Sequence, residues 1–158
     1  MTSAEFTYDK KKVIQALRFH FISRREIKFM IILVNVFAIV SGFFYFTGYI
    51  SPVAFLFASG LWFILMVSFW FILPAVIYRR AATFKDSFVV KFMPQHMFLE
   101  NQKGSRTWPW TAFSTFVESP YFFHLYFDSR SFFLIPKEAF SGIDISDVRV
   151  FLKTHIIK

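Results

Sequence analysis

The chain of 158 residues contains no cysteine and only five glycines, and residues 29 to 78 include no Asp, Glu, Lys, Arg or His. The first absence excludes structural disulfides, thiolate metal sites and cysteine nucleophiles. The second excludes phosphate-cradling loops, which need glycines clustered at short fixed spacings. The third absence is the most informative. As a helix, Phe29–Ile50 would be about 33 Å long against a bilayer hydrocarbon core of about 30 Å, and Val53–Ile77 is at least as long. Two transmembrane helices are therefore predicted, joined by an uncharged turn at Gly48–Pro52.

The apolar runs begin only after Lys28 and follow one another without a small-x-small cleavage site, so they are expected to be retained rather than removed as a signal peptide. Arg24, Arg25 and Lys28 precede the first run, and Arg79, Arg80 and Lys85 follow the second. By the positive-inside rule both termini then face the cytoplasm, and these six residues are the candidate membrane-surface set. The formal net charge is +8. A basic residue near an anionic leaflet contributes about 1 kcal/mol, and no nucleic-acid-binding motif is present, so the bilayer rather than nucleic acid is the expected partner of that charge.

Three segments follow: 1–28, cytoplasmic; 29–78, the hairpin; and 79–158, a second cytoplasmic part. In the first, Glu5–Tyr8 reads as a short strand and Asp9 as the N-cap of a helix from Lys10 to about Phe21. Val13, Ile14, Ala16, Leu17 and Phe21 form its apolar side. That side is expected to pack on the soluble domain, with the lysines in water; a helix lying on lipid headgroups is the alternative. In the hairpin, Ala38 and Gly42 on one helix and Ala54 and Ala58 on the other are small residues spaced for close helix approach, within the chain or in a homodimer. Asn35 is expected to hydrogen-bond Ser68 across the hairpin, and Pro74 to kink the second helix modestly.

After Arg80 the pattern becomes that of strands. Phe84–Phe92, His96–Asn101, Ser105–Trp110, Phe113–Glu118, Tyr121–Phe127 and Ser131–Ile135 are short Phe-, Val-, Tyr- and Trp-rich runs separated by turn residues. Consecutive short strands with tight connections predict an antiparallel meander, closed by a C-terminal helix capped by Asp144 or Ser146 and carrying Val148, Phe151, Leu152 and Ile156 on its inner side. The fold class expected is thus a membrane α-helical hairpin with an α+β cytoplasmic domain of pleckstrin-homology-like shape. In Trp108-Pro109-Trp110, proline places the strand at an edge or bulge. Both tryptophans are expected in the core; the alternative is that they form a partner contact, with Trp108 exposed.

Catalytic chemistry finds no support. His20, His96, His124 and His155 lack metal-pair spacing and read as surface or edge residues, no nucleophile elbow occurs, and Glu100, Glu118, Asp128 and Glu138 sit where solvated carboxylates are common. No enzyme activity, cofactor or metal is expected.

The order of two spans, then Trp110, Phe113, Phe116 and Glu118, then Tyr121–Tyr126, then Phe133-Leu-Ile-Pro-Lys-Glu-Ala-Phe140 and a short helix resembles the YcxB-like proteins of bacteria. The Phe6-x-Tyr8 strand and Leu17-x-Phe19-His20 are similar to that family as well, while Pro109 departs from its pattern. The resemblance implies a small inner-membrane protein with two transmembrane helices and a C-terminal pleckstrin-homology-like domain, and brings no catalytic residue with it. The function expected is a non-enzymatic, membrane-tethered module that binds a protein partner or lipid headgroups. An immunity protein against a membrane-acting toxin is the alternative. A small channel or transporter subunit comes third, weakened by the lack of ionisable groups in the spans.

Overall fold

The computed structural model describes residues 1–156. The chain forms two compact units: Met1–Ala16 together with the chain from Ala81 onward, and Leu17–Arg80. The division falls inside the first helix, so the N-terminal segment up to Ala16 is part of the β-containing unit rather than a separate region.

In that unit, strands β1 (Val89–Phe92), β2 (His96–Asn101) and β3 (Gly104–Pro109) make one antiparallel sheet in the order β1-β2-β3. Strands β4 (Thr115–Glu118), β5 (Phe122–Tyr126) and β6 (Phe132–Pro136) make a second, in the order β4-β5-β6. The expected meander is thus split in two. Pro109 has no N–H for a ladder and is followed by a 3-10 turn at Trp110–Ala112, which ends the pairing and carries the chain into the second sheet. The expected first strand is shorter than predicted, because Ala82–Lys85 forms a 3-10 turn and Asp86 and Ser87 precede the ladder. The Glu5–Tyr8 strand is reduced to isolated bridges, Thr2 to Lys91 and Phe6 to Phe88, along the edge of β1.

The core is aromatic. Phe92 lies against Trp110, Phe140 and Phe151, and Phe122 and Phe123 of β5 are fully buried. Tyr8 packs edge-on to Phe84 and Phe88 and donates its hydroxyl to the Leu134 carbonyl at 2.7 Å; burial pushes its phenol far above the usual range. Helix α1 (Lys10–Ser23) starts where Asp9 accepts from the Lys12 amide, and within this unit it buries Val13 and Ala16 while Lys12 pairs with Glu138. This matches a helix packed on the domain. By contrast with α1, the closing helix lies wholly in this unit: it spans Ile145–Ile156 and is capped by the Asp144 carboxylate, which accepts from the Ser146 amide at 2.8 Å.

The other unit holds helices α2 (Arg25–Phe46) and α3 (Pro52–Val67), a π-helical turn at Ser68–Ile72 and helix α4 (Leu73–Arg80). The closing helix of the β-containing unit, Ile145–Ile156, is α5. α2 and the continuous stretch Pro52–Arg80 are long and apolar enough to cross a membrane, and few of their side chains are buried. The turn between them is built from local rules. Gly48 adopts φ 80°, its amide bonds the Tyr45 carbonyl and the Tyr49 amide bonds that of Phe44, which together close α2 as a Schellman motif. Ser51 then caps α3 by accepting from the Ala54 amide, with Pro52 at the first helical position.

Candidate functional site

Five of the six predicted membrane-surface residues stand at the open end of the hairpin sequence: Arg24, Arg25 and Lys28 at the start of α2, and Arg79 and Arg80 in the last turn of α4. Arg79 and Arg80 also face the negative end of the helix dipole. Lys85 belongs to the β-containing unit, in its 3-10 turn. Arg24 lies 3.8 Å from Glu26, the acid nearest this cluster in sequence.

The two helices lie side by side, but at the small residues they leave an open cleft rather than a tightly packed seam. Ala38, Gly42 and Ala58 line a cleft of about 320 Å³ with Ser41, Phe55 and Trp62, and a β-carbon built on Gly42 would meet nothing within 4 Å. The bulk of α3 is the reason: Phe55 stacks on Tyr45 at 4.6 Å between centroids, and Trp62 fills the position facing Asn35. Ala54 is exposed. Nor do Asn35 and Ser68 pair. The Asn35 amide donates to the Ile31 carbonyl at 2.8 Å, and its oxygen accepts a long bond from the Trp62 indole at 3.4 Å. The Ser68 hydroxyl donates to the Ile64 carbonyl at 2.7 Å, a local acceptor always within reach of a serine in a helix.

A larger, wholly apolar groove of about 570 Å³ lies further along the same unit, with walls that include Ile31, Trp62, Met66, Val67, Trp70 and Phe71. Beside it the π-helical turn leads into Pro74, which has no N–H for the Trp70 carbonyl four residues earlier. The Arg18 Nε–H donates to that carbonyl at 2.9 Å, and the guanidinium sits 5.3 Å from the Trp70 ring and 5.2 Å from the Phe71 ring. Sequence reasoning saw the proline but not the arginine, whose distance along the chain gives no local signal.

In the β-containing unit the two tryptophans part company. Trp110 is buried, donates its indole N–H to the Met93 carbonyl at 2.9 Å and packs on Phe92, Phe113 and Phe151, so it is not available as a partner contact. Trp108 is half-buried on edge strand β3, with one face against Phe127 and Phe133. Two of the four histidines are not surface residues either: His20 and His124 are buried, and burial with the nearby Arg24 charge lowers His20 to about 4.

Glu118 departs most from expectation. Rather than a solvated strand-end carboxylate, it takes a two-pronged contact from Arg149 at 2.6 and 2.8 Å and pairs with Lys137 at 2.7 Å. The Arg149 hydrogen bonds, with help from Lys137, hold its carboxyl at about 2 against an ordinary value of 4.5. A depressed folded-state pKa contributes stability that is complete above about pH 4.5 and is lost as pH falls toward 2. Glu118→Gln is therefore expected to lower the melting temperature of this unit near neutral pH and to flatten its acid dependence in that window. Thermal unfolding at neutral and acid pH checks both.

Among the described residues no group of three or more His, Asp or Glu is placed to hold a metal ion. Neither a curated protein nor a solved structure matches the chain. Residues 92–152, from the end of β1 into α5, match the family model described as YcxB-like protein. Over that segment the chain is similar to the YcxB-like proteins, the family its sequence resembles, and the two apolar helices that precede the segment fit the same family.

Proposed function

We propose that the chain is a non-enzymatic integral protein of the bacterial inner membrane, whose two-helix hairpin tethers a pleckstrin-homology-like domain to the cytoplasmic leaflet for contact with a protein partner or lipid headgroups. The observation that carries this reading is the exposure of the hairpin. Phe29, Ile39, Phe57 and Phe63 are each more than 60% exposed along helices of spanning length. An apolar surface this continuous is untenable in water and ordinary in hydrocarbon. Arginines and lysines lie at the Arg25 and Arg80 ends and none at the turn, which supports both termini being cytoplasmic. Two antiparallel three-stranded sheets with one closing helix support the pleckstrin-homology-like reading, and the family match runs from the end of β1 into α5.

Tethering serves binding by confining the domain near the bilayer, which raises the effective concentration of any second membrane-proximal contact. Trp108, half-exposed on the open edge of β3, is the residue proposed for a protein contact. The experiment is fractionation with alkaline extraction, combined with alkaline phosphatase fused at each terminus or inserted at Gly48–Ser51. The protein is expected to stay in the membrane pellet, with phosphatase active only at the turn. Release by alkali, or activity at a terminus, overturns the reading.

A further inference from the structure

Resting on the membrane reading above, we infer that the apolar groove beside Arg18 is a binding site for one anionic phospholipid, with an acyl chain along its wall and the headgroup phosphate on the Arg18 guanidinium. The wall runs from Trp62 to Phe71, about 13 Å along the helix. Its residues are apolar, and neighbours such as Phe63 and Phe71 are more than half exposed, so the groove opens to whatever surrounds the hairpin. In a bilayer the surroundings are acyl chains, and an open apolar groove of about 570 Å³ is filled by them.

Charge selects the lipid. The guanidinium lies over two groove rings and spends its Nε–H on the Trp70 carbonyl, which fixes its plane while its terminal nitrogens keep donors in the fork geometry that suits phosphate. From Leu17 to Lys28 the chain carries four basic residues, Arg18, Arg24, Arg25 and Lys28, against Glu26 alone. A zwitterionic headgroup would bring a second positive charge into this cluster; phosphatidylglycerol brings none.

The test is native mass spectrometry of the full chain released from nanodiscs of equal phosphatidylglycerol and phosphatidylcholine. The wild type is expected to retain one phosphatidylglycerol per chain, enriched about fivefold over phosphatidylcholine, the preference that one well-placed cation supplies. Arg18→Gln is made together with Pro74→Ala, which supplies the N–H that Trp70 otherwise lacks, and this double variant is expected to fold and to retain both lipids equally. Val67→Phe, which narrows the groove while keeping the arginine, is expected to lose the retained lipid altogether. Retention in the bulk ratio by the wild type, unchanged preference in the double variant, or a lipid-free dimer whose second copy covers the groove each overturns the site. None of these touches the membrane reading, which fails instead by alkaline extraction.

Discussion

Replacing Trp110 with alanine is expected to destabilise the β-containing unit by about 3–5 kcal/mol, the usual cost of deleting a buried tryptophan. The side chain is only 5% exposed and holds three parts of the unit at once: β1 through Phe92 at 5.4 Å, α5 through Phe151 at 5.4 Å and the turn after β2–β3 through Phe113 at 6.0 Å. Its indole N–H answers the Met93 carbonyl, so truncation also loses that hydrogen bond, at about 0.5–1.5 kcal/mol. A domain of this size has about 5–15 kcal/mol in total, so the variant sits near the edge of folding. Trp110→Phe keeps most of the packing and loses the N–H, and should fall between the two. Trp108→Ala, which removes a half-buried ring from one face of Phe127 and Phe133, should cost less than either. Near-UV circular dichroism of the full chain in detergent, followed through thermal unfolding, reads this unit's aromatic packing while the hairpin's helical signal persists. An unchanged transition for Trp110→Ala would show that the turn at Trp110–Ala112 does not pin the sheets.

The contrast between the two tryptophans marks the boundary of what sequence can tell. Features decided within a few residues were legible: the uncharged run from 29 to 78, the Asp9 and Asp144 caps, the turn at Gly48 with Ser51 and Pro52 after it, and the edge placement of a strand ending in Pro109. Features decided between distant residues were not. Glu118 looks like any strand-end carboxylate until folding brings Arg149, 31 positions away, and Lys137 to it. Asn35 and Ser68 were matched by depth alone, yet each found an acceptor one turn back on its own helix, and the remaining carboxamide oxygen went to the bulkier Trp62. Small residues on two helices state that an approach is possible; Phe55, Trp62 and Tyr45 decided that a cleft would form instead.

The pairing of Arg18 with Pro74 gives the second large effect, and it is one of coupling rather than of a single residue. Proline leaves the Trp70 carbonyl without its helical donor, and among the apolar rings at the membrane interface a carbonyl is costly to leave without a partner. The π-helical turn at Ser68–Ile72 widens the helix there, letting the Leu73 amide bond the Ser68 carbonyl five residues back, and Arg18 supplies the donor to Trp70. Arg18→Gln alone is expected to cost about 1–3 kcal/mol, the penalty of a stranded acceptor together with the lost ring contacts. Pro74→Ala alone should be close to neutral, since it restores an N–H that already has an answered partner. In the double variant the amide restored by Pro74→Ala takes over the Trp70 carbonyl, so the arginine is missed only for its ring contacts and the two changes fail to add by about 1 kcal/mol or more. Unfolding of the hairpin in mixed micelles, read by tryptophan fluorescence across the four variants, measures that coupling. Strict additivity would mean that the Trp70 carbonyl is answered within its own helix and that Arg18 is held by the Trp70 and Phe71 rings alone.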